Sequence, residues 1–207
     1  MADGRLRKSL IWGTVAFAIA VPIAASLASP LLAWRDPIYI AAGVMGVFAM
    51  TLLLVQPMLI GNFLPGLPTT RNRTLHKWVG SLLLIAVLLH VVGLWLTSPP
   101  DVIDALLFAS PTPFSAWGVV AMWAVLFAGF LAVMRKHLRP RVWRAGHTIL
   151  VGITVAGSIV HALLIEGTME TVSKIALCGL VLLATGMAIT KQQKRFKRKG
   201  RPGRLTD

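Results

Sequence analysis

The sequence predicts an all-α integral membrane protein, a six-helix transmembrane bundle with both termini in the cytoplasm. Its 207 residues are 56% hydrophobic and only 14% charged, which is too apolar for a soluble domain of this length. The apolar residues come in six runs of about twenty, the length that a helix needs to cross a hydrocarbon core about 30 Å thick. The connections between these runs alternate between rich and poor in basic residues.

Six apolar segments are long enough to cross as helices, in which every backbone amide is satisfied within the segment. They lie at about residues 10–33, 38–60, 75–97, 115–134, 144–165 and 171–190. The first segment also resembles a signal peptide, because basic residues precede it and small residues follow it. Its length favours a retained helix, and cleavage would leave the orientation of the other five spans unchanged.

The longest connection on the predicted outer side runs from Pro99 to Pro113. Within it, Ile103, Leu106 and Leu107 follow the i, i+3, i+4 pattern of one helix face. This pattern predicts a short helix that lies on the outer surface.

Nineteen of the twenty-one basic residues lie on one predicted side of the membrane, in the connections before the third and fifth spans and at the two termini, including the run from Lys191 to Arg204. By the positive-inside rule these connections are cytoplasmic, which predicts a multi-pass protein of the inner (cytoplasmic) membrane. The net charge of +14 is therefore a topology signal, so membrane lipid is expected as a partner and nucleic acid is not. Residues 1–190 form the predicted bundle, and residues 191–207 form a basic cytoplasmic tail.

Four histidines form two matched sets. His76 and His90 lie on the third span, His147 and His161 lie on the fifth, and both spacings are fourteen residues. Fourteen residues are two heptads, so each set shares one helix face with its members about 21 Å apart along the axis. Both spans leave the cytoplasm and therefore run parallel. If they face each other, His76 meets His147 near the inner face (the inner pair), and His90 meets His161 nearer the outer face (the outer pair).

Two neutral imidazoles that face each other across a helix gap suit the axial ligation of a haem iron. Helical bundles build such sites from side chains on facing helices. The predicted ligands of two b-type haems per chain are His76, His90, His147 and His161. Basic residues near the inner pair are candidates to bind the haem propionates, although membrane anchoring explains each one equally well. They are Arg71, Arg73, Lys77 and Arg144.

The two histidine segments read H-K-W-V-G-S-L-L-L-I-A-V-L-L-H and H-T-I-L-V-G-I-T-V-A-G-S-I-V-H. Together with the topology around them, they resemble the ferric reductase-like transmembrane domain. This family includes the membrane halves of NADPH oxidases, ferric reductases and the haem subunit of the methionine sulfoxide reductase system. Its pattern is six helices with a spaced histidine pair on the third and another on the fifth, so the resemblance covers nearly the whole chain. The resemblance implies that the four histidines occupy the positions of haem ligands.

The oxidases and reductases of this family carry flavin and nicotinamide domains after the sixth helix. Here a basic tail of seventeen residues follows Thr190, and no G-x-G-x-x-G motif follows a strand. We therefore expect an oxidoreductase component whose electrons come from a separate cytoplasmic flavin reductase or from membrane quinol. The expected acceptor at the outer face is a ferric chelate, oxygen or a periplasmic reductase. No constellation of residues for acid–base catalysis is evident.

Two alternatives stay open at this point. The chain is compatible with a haem subunit that delivers electrons to a periplasmic reductase partner, which differs from a ferric reductase only in the acceptor. It is also compatible with a haem-free membrane transporter that uses the histidines as a proton relay. The broken helices and inverted repeats that are typical of transporters are not evident in the sequence.

Overall fold

The structure is a computed structural model of the chain, which describes residues 2–199 and the side chains of residues 4–194. Within the described residues, seven α-helices follow one another without any strand. They are α1 (Ala2–Leu27), α2 (Pro37–Ile60), α3 (Thr69–Thr97), α4 (Pro99–Leu106), α5 (Pro113–Val133), α6 (Pro140–Leu164) and α7 (Thr171–Lys199). Short 3-10 turns lie at Pro30–Leu32 and Met134–His137.

Six of these helices are long and apolar enough to cross a membrane. The candidate spans are Gly4–Leu27, Pro37–Ile60, Thr69–Thr97, Pro113–His137, Pro140–Leu164 and Thr171–Lys194. The predicted all-α bundle with six spans is therefore confirmed, and the protein is a multi-pass membrane protein. The short α4 also confirms the helix predicted between the third and fourth spans, where Ile103 and Leu107 are exposed.

The first and third spans differ from their predicted bounds. Helix α1 ends at Leu27, and Pro30 opens a 3-10 turn where the sequence predicted helix up to residue 33. Proline lacks the backbone donor that a helix interior needs, and it favours an extended conformation at the preceding residue, as Ser29 shows with ψ 124°. Helix α3 begins at Thr69, six residues before the predicted start, which places His76 about two turns inside the helix.

Proline residues also mark where several helices begin. Helices α2, α4, α5 and α6 open at Pro37, Pro99, Pro113 and Pro140. The missing N–H of proline costs nothing there, because the first turn of a helix has no internal acceptor for it. At α2 the carboxylate of Asp36 adds a cap, accepting a hydrogen bond from the Ile38 amide at 2.7 Å.

Two antiparallel hairpins, α2–α3 and α5–α6, are the most extensively packed helix pairs of the bundle. Helix α7 packs on α2 and α6, and α1 packs on α2 and α7. Leu53 of α2 and Leu177 and Val181 of α7 lie in the largest cluster of buried apolar side chains. Direct contacts between α3 and α6 are sparse by comparison. The two histidine-bearing helices are therefore held in place mainly by their hairpin partners.

The basic segment after residue 190 starts as a continuation of α7, which stays helical to Lys199. The Lys191 ammonium donates a hydrogen bond to the Gly61 carbonyl at 2.6 Å and lies 4.7 Å from the centre of the Phe63 ring. These contacts join α7 at Lys191 to the end of α2. The rest of the predicted tail, residues 200–207, lies outside the described residues.

Candidate functional site

The structure brings the four histidines together as the two predicted pairs. In the outer pair, the ring centres of His90 on α3 and His161 on α6 are 6.5 Å apart, with 78° between the ring planes. In the inner pair, His76 and His147 are close enough to interact electrostatically. All four side chains are at least partly buried. The parallel arrangement of α3 and α6 predicted from the sequence therefore agrees with the observed pairing.

Each imidazole of the outer pair is held by a backbone carbonyl of its hairpin partner. The Nδ1–H group of His90 donates to the Ala42 carbonyl of α2 at 2.7 Å. The Nδ1–H group of His161 donates to the Phe114 carbonyl of α5 at 2.8 Å. A neutral imidazole that donates through Nδ1 keeps a free lone pair on Nε2. Both outer histidines are thus in the tautomer that a metal ligand requires, with the ring orientation fixed from behind.

Two glycines make room for these rings. A Cβ atom at Gly118 of α5 would lie 2.6 Å from Nδ1 and 2.7 Å from Cε1 of His161. A Cβ atom at Gly46 of α2 would lie 3.0 Å from both Nδ1 and Cε1 of His90. Any larger residue at either position would therefore press on the imidazole. Neither these two glycines nor the carbonyls of Ala42 and Phe114 were predicted from the sequence.

The inner pair is held differently. The backbone of Gln56 lies close to the His76 imidazole and that of Ala128 close to the His147 imidazole, and Nδ1 of each ring has no hydrogen-bond partner. The indole ring of Trp143 stacks on His147 with ring centres 5.7 Å apart and 16° between the planes. Four buried polar atoms near the inner end of the gap have no partner, namely Gln56 Oε1, His76 Nδ1, Trp143 Nε1 and His147 Nδ1. Buried polar groups without a partner are costly, so this end of the gap is suited to a polar ligand or water.

Each pair offers two imidazoles and no further protein ligand, since residues 2–199 contain no group of three or more His, Cys, Asp or Glu able to hold a metal ion. A metal ion bound at a pair would therefore take its other ligands from a bound group, and a planar macrocycle supplies four. With metal–imidazole bonds of about 2 Å and ring centres about 1 Å behind each nitrogen, two imidazoles on one ion have ring centres about 6 Å apart. The 6.5 Å separation of the outer pair fits this arrangement.

The basic residues predicted near the inner pair lie at the start of α3 and α6. The side chains of Arg71, Arg73 and Lys77 are exposed and make no hydrogen bond or ion pair with the described part of the chain. Arg144 is partly buried and engaged in a contact. A further cation, Arg135, lies 5.9 Å from the centre of the Trp143 ring. His137 is exposed.

The sequence matches a known protein family. A family profile described as "Ferric reductase like transmembrane component" matches residues 42–158, which is more than half of the chain. The protein belongs to the ferric reductase-like transmembrane family. The matched region begins at Ala42, contains three of the four histidines and ends three residues before His161.

Transmembrane domains of this family generally bind haem, and membership points to a membrane component of electron transfer. The resemblance noted from the two histidine segments is therefore confirmed at the level of the family. No curated protein and no solved structure gives a significant match to the chain.

Proposed function

We propose that this ferric reductase-like protein is a di-haem b transmembrane electron-transfer protein. His76 and His147 would ligate an inner haem, and His90 and His161 an outer one. The outer pair is the observation that carries the proposal, because both rings donate through Nδ1 to a carbonyl and stand 6.5 Å apart. Haem bound between such imidazoles accepts and releases one electron at a time through its iron.

The chain's own residues have three roles in this function. The imidazoles of each pair would bind a haem iron from two different helices, which would fasten the cofactor between α3 and α6. The carbonyls of Ala42 and Phe114 orient the outer rings and increase their basicity. The packed hairpins keep the two layers about 21 Å apart along α3 and α6, a large share of the hydrocarbon core.

The proposed direction of transfer is from the cytoplasm to the outer face. It rests on the basic connections, which assign the inner pair to the cytoplasmic side of the inner membrane. A cytoplasmic flavin reductase or membrane quinol would donate the electrons. The acceptor would be a ferric chelate, oxygen or a periplasmic reductase partner, reached at the outer face without ligation to a metal.

The proposed contacts of the haem propionates lie at the inner pair. Lys77 follows His76 directly, and Arg144 precedes His147 by three residues, so both cations start within one turn of a ligand. Arg71 and Arg73 lie on the first turns of α3, five and three residues before His76, and their side chains are exposed. Cations of this kind pair well with carboxylates at a membrane edge.

Vectorial transfer tests the proposal directly. Liposomes that contain the purified protein and entrapped ferricyanide receive a membrane-impermeant reductant on the outside. We expect reduction of the entrapped ferricyanide with the wild-type protein, and a rate near that of protein-free liposomes with His161→Ala. A folded wild-type protein that carries no haem and transfers no electrons would contradict the proposal and favour a haem-free role for the histidines.

A further inference from the structure

The geometry points to Gly46 and Gly118 as positioning residues that give the outer imidazoles their tautomer and orientation. Each glycine lies one helical turn after the residue whose carbonyl accepts the imidazole proton, Ala42 or Phe114. Each of the two helices thus carries a carbonyl–glycine module, which is an acceptor carbonyl at position i and a glycine at position i+4. The expected effect of these glycines on haem rests on the proposed function. Their effect on the imidazole rings does not depend on whether haem is bound.

The module on α5 is the tighter of the two. The His161 ring lies against the surface of α5 with Nδ1 at 2.8 Å from the Phe114 oxygen. At this distance the ring occupies the space in which a side chain at position 118 would begin, because a Cβ atom there would come within 2.6 Å of Nδ1. Real Cβ atoms essentially never approach so closely, so the ring reaches the carbonyl only because position 118 is glycine.

The same relation is found on α2. His90 Nδ1 lies 2.7 Å from the Ala42 oxygen, and a Cβ atom at Gly46 would lie 3.0 Å from the ring. Here an added methyl group displaces the imidazole by a few tenths of an ångström. We therefore expect an alanine at position 46 to displace its imidazole less than an alanine at position 118 does.

The inner pair provides an internal comparison. The backbone groups close to its imidazoles belong to Gln56 and Ala128, and the residues one turn later are Ile60 and Ala132. Neither is glycine, and neither inner Nδ1 forms a hydrogen bond. The short Nδ1–carbonyl hydrogen bonds of 2.7 and 2.8 Å thus occur at the two histidines whose acceptor carbonyl is followed by a glycine one turn later.

Other glycines on the same helices have a different neighbour. A Cβ atom at Gly43 of α2 would lie 3.0 Å from the Thr168 hydroxyl, and one at Gly129 of α5 would lie 2.7 Å from a Leu84 methyl group. These distances match those at Gly46 and Gly118 closely, but the crowded atoms are not those of a histidine. Gly43→Ala and Gly129→Ala are therefore matched controls for crowding at a helix surface.

The test compares Gly46→Ala and Gly118→Ala with these two controls in the full-length purified protein. Two readouts are used: the redox titration with the EPR signature of the outer-layer haem, identified as the one lost in His161→Ala, and nitrogen NMR of the histidine rings. We expect Gly118→Ala to lower the affinity of the outer site for haem roughly ten- to hundredfold, the size usual for groups that orient a ligand. Gly46→Ala should shift the potential and EPR signature of the same haem, and this variant should retain more of the outer haem than Gly118→Ala does. The inner haem should keep its potential in both variants.

The controls should retain both haems with wild-type potentials. An unchanged outer haem in Gly46→Ala and Gly118→Ala would overturn the inference, and so would an equal effect of Gly129→Ala, since both mean that the glycines serve helix packing alone. Should Gly118→Ala fail to fold, the milder Gly46→Ala against Gly43→Ala decides. If the wild-type protein carries no haem, the proposed function fails but the NMR readout still decides the inference. Two rings with a hydrogen-bonded Nδ1–H, one lost in each glycine variant, would support it, and unchanged ring resonances would overturn it.

Discussion

Each of the four imidazoles lies against a backbone group of the neighbouring helix, and the residues that supply these groups repeat the fourteen-residue spacing of the histidines themselves. On α2 they are Ala42 and Gln56, and on α5 they are Phe114 and Ala128. The residue-level contacts of one hairpin therefore recur in the other, with both hairpins running in the same direction. This is a parallel repeat, unlike the inverted repeats of many transporters.

The pairing of ligands can be tested by removing them one at a time. His90→Ala and His161→Ala should each abolish or convert to high spin the same haem, because both remove a ligand of the outer pair. The double variant should resemble either single one, since little is left for the second substitution to remove. Absorption and EPR spectra of the purified variants check this. Loss of a common signal in His76→Ala and His161→Ala would show that the ligands pair across the layers instead.

The histidines were predictable from the sequence, but the groups that hold them were not. Equal spacing on two parallel spans is a pattern of side chains, and it predicted both pairs. A backbone carbonyl is present at every residue, so the residue types at Ala42 and Phe114 do not identify these positions as hydrogen-bond acceptors. Gly46 and Gly118 are only two of eighteen glycines in the chain, and small residues in membrane helices usually serve helix packing.

At the scale of the helices, the close approach of α2 and α3 depends on one glycine. A Cβ atom at Gly93 would lie 2.7 Å from the Ala42 Cβ and 3.4 Å from its Cα. The obstacle includes backbone, so Gly93→Ala should push the two helices apart, and overpacking of this kind costs about 1–3 kcal/mol. We expect a lower midpoint of thermal unfolding in detergent. Gly186→Ala on α7, where the added Cβ meets nothing within 4 Å, should not lower the midpoint, because alanine is a better helix former than glycine.

The start of α7 gives a pH-dependent prediction. The Glu170 carboxylate accepts hydrogen bonds from the Val172 amide at 2.7 Å and the Ser173 amide at 2.8 Å, and these bonds, that from Ser173 foremost, lower the pKa of Glu170. A lowered pKa in the folded state adds stability above the ordinary glutamate value, and this stability is lost as the pH falls through the lowered value.

Glu170→Gln should therefore lower the midpoint of thermal unfolding at neutral pH, and the difference from wild type should shrink to nothing in acid. Unfolding curves at several pH values measure this. The matched control is Glu166→Gln, because this exposed carboxylate accepts no hydrogen bond within the described part of the chain. If the midpoint of thermal unfolding of Glu170→Gln differs from that of wild type by the same amount at every pH, the Glu170 cap does not act through the charge of its carboxylate.

Span number and type followed from apolar length alone, whereas the bounds of the spans depended on local chemistry. The third span was predicted from its apolar run, but the helix already starts at Thr69, since the polar first turn can extend beyond the hydrocarbon region. Similarly, α1 stops at Leu27 because Pro30 ends helical geometry before the apolar residues run out. Hydropathy reports which residues sit in lipid, and it does not report where hydrogen bonding between backbone groups ends.

At the scale of the whole molecule, the basic connections predict the orientation in the membrane. Reporter fusions in the turn Met134–His137 should report the cytoplasm, and fusions near Asp101 at the start of α4 should report the opposite side. A fusion near Gly66, in the turn between α2 and α3, should agree with the first and serves as its control. The reverse result at all three sites would reverse the proposed direction of electron transfer.

The central claim is that the gap between α3 and α6 holds one haem in each of two layers. Haem quantitation of the purified protein, as the pyridine haemochrome, tests it most directly. The account predicts two b-type haems per wild-type chain, both low-spin, and only one low-spin haem per chain when either member of one pair is changed to alanine. A correctly folded wild-type protein from haem-replete cells that contains no haem, or that keeps two haems after His90 and His161 are both replaced, would contradict the account.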